Sequence, residues 1–171
     1  MSYMSLRYFN AAGADPDGEI GEDHDPEQHL LPRLIGAALG HEPEVKIFGT
    51  DYPTPDGTCV RDYVHVTDLA EAHIRALKRL DGDDAPTAVN LGAGRGVSVR
   101  QVIDAVSSIA GSALAVRDAS RRVGDPAYLV ADIGLANSAL AWSPDLSNLS
   151  QIVRTAWNWH RNADTGKNLL I

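Results

Sequence analysis

The chain has 171 residues, 44% of them apolar, which is material for one ordinary domain with a sizeable core and excludes a disordered segment or a small disulfide scaffold. The 15 Lys and Arg against 23 Asp and Glu leave a net charge of -8, and an acidic surface argues against nucleic-acid and membrane-surface partners. A single cysteine, Cys59, excludes an internal disulfide, and neither a signal peptide nor a membrane span is written in the sequence, so a cytoplasmic location is expected.

Residues 4–10 (Met-Ser-Leu-Arg-Tyr-Phe-Asn) predict a short strand, followed at once by a Gly/Asp/Pro-rich stretch over 13–26. The run from Glu19 to Asp25 carries several carboxylates and one histidine; in a turn-rich acidic loop this reads as a solvated face rather than a metal site, and no metal is expected. Asp25 as cap and Pro26 at the first helical position open a predicted helix whose apolar face is Leu30, Leu31, Leu34, Ile35 and Leu39, ending at Gly40. Val45, Ile47 and Phe48 predict a brief strand, and the two prolines and Asp-Gly of residues 50–57 a turn-rich loop. Residues 58–66 read as a strand, after which Thr67 caps a helix through Leu80 with Leu69, Ala72, Ile74, Ala76 and Leu77 on its apolar face.

A strand at 87–91 runs into Gly92-Ala-Gly-Arg-Gly96, and Ser98 with Gln101 forms a capping box for a helix over 99–110 closed by Gly111. A strand at 113–117, a loop rich in Arg and Asp at 118–126, a short helix after Asp132 and a last helix near 148–161 complete the order. Strands alternating with helices predict an α/β chain in one domain.

The most inviting motif for a phosphate is Gly92-x-Gly94 between strand and helix, where backbone can approach a pyrophosphate. Its third glycine is out of place, and a tight strand-to-helix turn accounts for it better. Arg121 and Arg122 ahead of Gly124-Asp125 form a basic loop suited either to gripping a phosphate ester or to solvation and local pairing with Asp. Arg61 and Asp62 are either an exposed ion pair or a charge aimed into a cleft. The six histidines lack tight ligand spacing, and Cys59 has no partner base in sequence, so structural roles come first for each. Trp142, Trp157 and Trp159, in the C-terminal region, read as anchors of the last helix to the core.

Four strings carry a resemblance: Leu6 to Gly13, Ile47 to Ala70, Asn90 to Gly94 and Arg121 to Ala127. In order and spacing they resemble the C-terminal half of the UDP-glucose 4-epimerase family of extended short-chain dehydrogenase/reductases, and the Asp-Gly-Thr-Cys-Val-Arg-Asp-Tyr-Val-His-Val block is the most specific of them. The resemblance implies a UDP-sugar site and an NAD cofactor. Phe9 would touch NAD and Asn10 the sugar diphosphate; His29 and Leu30 would contact diphosphate and uracil; Lys46, Ile47 and Phe48 would hold uracil; Arg61 and Arg122 would clamp the diphosphate, and Asp125 would accept from the uridine ribose. Leu129 would stand beside the hexose 2-substituent and disfavour N-acetylated sugars.

The family's glycine-rich NAD loop and Tyr-x-x-x-Lys pair have no counterpart here: the residues four places after Tyr3, Tyr8, Tyr52, Tyr63 and Tyr128 are Arg7, Ala12, Asp56, Thr67 and Asp132. The expectation is therefore a single α/β portion over 1–171 that binds UDP-sugar, with late strands of a Rossmann sheet but without the N-terminal NAD-binding half, and with no catalytic residue of its own. By resemblance the activity is interconversion of UDP-galactose and UDP-glucose in galactose metabolism, absent from this chain alone; the other readings are a non-catalytic nucleotide-sugar module or another nucleotide-sugar dehydratase or decarboxylase. Self-association through an exposed sheet edge is also expected.

Overall fold

The computed structural model describes residues 2–80, 82 and 84–168. In chain order the first half contains strands β1 (Ser5–Tyr8) and β2 (Asn10–Ala12), helix α1 (Leu30–Ala38), strands β3 (Val45–Phe48), β4 (Val60–Arg61) and β5 (Tyr63–His65), and helix α2 (Val66–Arg79). The second half adds β6 (Ala88–Leu91), β7 (Val97–Ser98), α3 (Val99–Ala110), β8 (Val116–Ala119), β9 (Tyr128–Leu129), α4 (Gly134–Leu140) and α5 (Leu149–Asn168).

The pairings are mostly parallel, as strands separated by helices must be. β1 lies beside β6 with Leu6 opposite Val89, and β2 beside β5 with Ala11 opposite Val64. β3 and β8 pair with Ile47 opposite Asp118, while β4 sits between antiparallel β7 and parallel β9, which places Leu129 opposite Arg61. Two apolar clusters fill the interior. One packs α1, α3 and α5 against β3 through Leu34, Ile35, Ile47, Val102, Val106 and Ile152; the other packs α2 and α4 against β5 and β6 through Val64, Leu69, Val89, Leu91, Ala136 and Trp142. The expected α/β chain is present, and its α3 has both halves of the Ser98–Gln101 capping box with Gly111 left-handed at φ 73°.

Several boundaries differ from the sequence expectation for identifiable reasons. The predicted opening strand divides at Phe9, because β1 and β2 serve different partners. The helix expected from Pro26 starts at Leu30: the Glu27 carboxylate accepts the N–H groups of Gln28 and His29 at 2.7 Å, folding that stretch as a loop, and Pro32 is the proline of the first turn. The strand expected over 58–66 is broken at Asp62, whose side chain turns inward to bind backbone. The cap of α2 is His65, whose ring accepts from the Thr67 N–H at 3.1 Å, and not Thr67. Ile74 and Leu77, expected inside, are exposed, because they continue a second stripe with Val66 and Ala70 on the other side of α2. The strand expected at 113–117 lies at 116–119, β7 and β9 are too short for periodicity to reveal, and the last helix runs on to Asn168.

Candidate functional site

Asp62 organises the region. It is fully buried, and its carboxylate accepts the N–H groups of Ala93 at 2.6 Å, Gly94 at 3.0 Å and Ala131 at 3.1 Å. One side chain thereby ties β4 to the turn after β6 and to the segment after β9. Gly92 is required beside it: a Cβ there would stand 2.5 Å from Asp62 Oδ2 and 2.6 Å from the Ala131 Cβ. The Asp62 carbonyl also accepts from the Asn10 N–H and side-chain amide, both at 3.0 Å, so Asn10 is positioned by the same residue. The N–H groups of the glycine turn are thus spent on an internal carboxylate, as a structural turn would have it. In sequence Asp62 stood out only as a charge beside Arg61 inside a strand-like run, with nothing to mark this backbone-binding role.

Around that frame the predicted residues fall into two groups. Phe9, Asn10, His29 and Leu30 line a cavity of about 880 Å³ between the ends of β1 and β2, the 20–32 segment and the start of α2. The exposed His29 ring bonds through Nδ1 to Glu22. The second group lies on the β3 and β4 edges and the loop before β9. Arg61 pairs with Asp125 and donates to the Val60 carbonyl at 2.7 Å; its side chain is only 11% exposed, so this pair is not loose in solvent. Arg122 lies 4.1 Å from the centroid of the Phe48 ring, and Arg121 lies 4.2 Å from that of Tyr52 while donating to Asp51 at 2.7 Å. Both arginines of the loop are held flat on aromatic faces. The Arg121 guanidinium hydrogen-bonded to Asp51 holds that carboxyl below its ordinary range.

Lys46 is exposed and Ile47 buried, as alternation along β3 requires, so Ile47 can meet a ligand only through its backbone. Leu129 is 47% exposed on β9 next to Arg61. Cys59 is buried, and burial pushes its thiol upward, away from a nucleophile's range. Tyr52, 5% exposed, carries a buried hydroxyl with no hydrogen-bond partner among the described residues, and burial raises its phenol. Sequence gave no signal for that orphan. Trp159, on α5, donates to the Glu22 carbonyl and ties the last helix to the loop before α1, whereas Trp142 precedes that helix and donates to the Asp68 carbonyl of α2, both at 2.9 Å.

The sequence profile of the NAD dependent epimerase/dehydratase family matches residues 1–92. A curated UDP-glucose 4-epimerase of Halalkalibacterium halodurans is 48% identical over 166 residues, covering 97% of this chain and 50% of the relative. The crystal structure of UDP-glucose 4-epimerase from Brucella ovis in complex with NAD superposes with TM-score 0.88 at 49% identity, over 92% of this chain and 49% of that one. The enzyme from Stenotrophomonas maltophila with bound NAD and formylated UDP-arabinopyranose superposes with TM-score 0.92 at 40% identity, over 97% and 49%. The chain spans about half the length of the curated relatives it matches. NAD is the cofactor of the family; of this chain's residues Phe9 lines the large cavity, but the Ala93 and Gly94 amides already donate to Asp62, so the residues present do not complete a pyrophosphate site. By sequence and by its Rossmann-like α/β fold, the chain belongs to the NAD dependent epimerase/dehydratase family.

Proposed function

We infer that this chain is the UDP-sugar-binding, C-terminal portion of a UDP-glucose 4-epimerase, acting in the interconversion of UDP-galactose and UDP-glucose in the cytoplasm. The observation that supports the reading is a pair of contacts joined by one turn, Arg122 over the Phe48 ring and Arg61 with Asp125, the Asp125 N–H donating to the Arg122 carbonyl at 3.3 Å: an aromatic face for a base, two guanidinium groups for a diphosphate and a carboxylate for ribose hydroxyls. Asn10, His29 and Leu30 line the large cavity, and Lys46 and Ile47 precede Phe48 on β3. Leu129 beside Arg61 favours a hexose with a small 2-substituent over an N-acetylated one.

The base and the cofactor loop of the chemical step are not in this sequence, which holds no Tyr-x-x-x-Lys. Phe9 is the residue proposed to meet NAD, and turnover by the chain alone is not expected. The free edge of β1 and the exposed stripe Val66, Ala70, Ile74 and Leu77 are the surfaces proposed to take a nucleotide-binding half, or a second copy when that half is missing. The lack of that pair also favours a second reading, a nucleotide-sugar module that binds without turnover.

The test is a titration of UDP-glucose, ADP-glucose and UDP-N-acetylglucosamine into the purified chain. Preference for UDP-glucose over both supports the assignment of uracil and hexose contacts; equal binding of ADP-glucose overturns the first and equal binding of UDP-N-acetylglucosamine the second. Interconversion of UDP-galactose and UDP-glucose by the chain with added NAD would contradict its proposed dependence on a missing half.

A further inference from the structure

We propose that Glu22, His24, Glu27 and His29 form a binding site for a borderline divalent cation of the zinc or cobalt kind. The four side chains come from the loop before α1, where the turn at 25–28 brings Glu27 and His29 back onto Glu22 and His24, and one ligand atom from each lies within 4.8 Å of all the others. The solvated-face reading of the 19–25 run considered neither of the returning residues.

The donor chemistry is two imidazole nitrogens and two carboxylate oxygens, a set that suits zinc and cobalt better than magnesium or calcium, which take oxygen alone. A tetrahedral shell with bonds of roughly 2.0–2.2 Å needs donors about 3.3–3.6 Å apart, so closing the site requires an inward shift of about 1 Å. The exposed rings of His24 and His29 can make that shift.

Charge points the same way. Glu22 and Glu27 are only 20% and 21% exposed, and His24 and His29 pair with them. The guanidinium near Glu27, that of Arg33, is committed to Glu42 at 2.6 and 3.2 Å. A dication between these two half-hidden carboxylates would neutralise both. The Nδ1 atoms of His24 and His29 already converge on Glu22 Oε1, with their rings edge to face and centroids 5.3 Å apart.

The supporting shell is built as a ligand set requires. Trp159 Nε1 donates to the Glu22 carbonyl at 2.9 Å, its ring fills the space where a side chain on Gly21 would go, and Glu27 is fixed by the two N–H groups it accepts. His29 occupies the N-cap of α1 without using its side chain as the cap, which leaves that ring available.

Cobalt(II) is titrated into the metal-free full chain in the absence of any nucleotide, following visible d–d absorption, with zinc as competitor. The site predicts one equivalent bound, displaced by zinc and not by an equal concentration of magnesium. His24→Ala and Glu27→Gln each weaken cobalt binding by about tenfold or more, whereas His73→Ala, on α2, leaves it unchanged; thermal unfolding without metal checks that each variant folds. No uptake, displacement by magnesium, or uptake unaffected by the His24 and Glu27 variants would overturn the proposal.

Discussion

The Arg122 guanidinium rests on the face of the Phe48 ring, 4.1 Å from its centroid, so the proposed phosphate clamp is parked on the proposed base platform. An exposed stack of this kind contributes about 0.5–1 kcal/mol. Phe48→Leu is expected to lower the unfolding free energy by no more than about 1 kcal/mol, a small core and stacking loss, while weakening UDP binding several-fold. A stability loss without any change in UDP affinity would make the stack purely structural. The comparison needs urea denaturation and calorimetry on the same variant.

Asp62 presents the opposite case, a charged group whose role is internal. Asp62→Ala leaves three buried or half-buried N–H groups without an acceptor, and the expected cost is about 3–5 kcal/mol. Gly92→Ala forces its new methyl against the same carboxylate at 2.5 Å and should cost about 1–3 kcal/mol. Because they meet at one point, the double variant should lose less than the sum of the two. Strict additivity in urea midpoints would contradict the contact.

His65 gives the fold a pH dependence of definite sign. Its Nδ1 accepts from Thr67 and its Nε2 faces Thr155 Oγ1 at 3.0 Å, an arrangement that fits the neutral ring, and burial lowers its pKa below the ordinary 6.5. Burial lowers that of His160 as well. The unfolded chain then takes up protons that the folded chain refuses, so stability is complete above about pH 6.5 and falls as the pH drops below it. Urea unfolding followed from about pH 7.5 to 5.5 should show that slope, and His65→Asn should reduce it. A slope of the opposite sign would sink the account.

Tyr52 carries a buried hydroxyl that has no hydrogen-bond partner among the described residues. Removing an unsatisfied polar atom while keeping the ring costs nothing in hydrogen bonding, so Tyr52→Phe should be neutral or stabilise by up to about 1 kcal/mol. A loss of more than about 1 kcal/mol in thermal or urea unfolding would mean that the hydroxyl is bonded after all.

Periodicity and capping chemistry made α3, the core of α1 and the alternation of strands and helices readable, since those depend on local pattern. Two kinds of feature were not. Two-residue strands such as β7 and β9 exist only because β4 offers them a partner, and the second stripe of α2 reads as core until the packing shows which side is covered. The site divides similarly: the residues proposed to hold UDP-sugar were named through resemblance, whereas spacing alone left Arg61 and Arg122 undecided between surface and cleft. The pairing of Arg61 with Asp125 spans a sequence separation of 64, and the return of His29 onto Glu22 depends on a loop turn no periodicity describes.

This chain is proposed to grip a uridine diphosphate with Arg122. Calorimetric titration of UDP into the chain and into Arg122→Ala tests it most directly. The expected result is saturable binding of one equivalent that weakens by about 1.5–3 kcal/mol, or roughly 10- to 150-fold, in the variant, as loss of a charge-assisted contact requires. Binding that is equally tight without Arg122, or no binding by either folded protein, would contradict it.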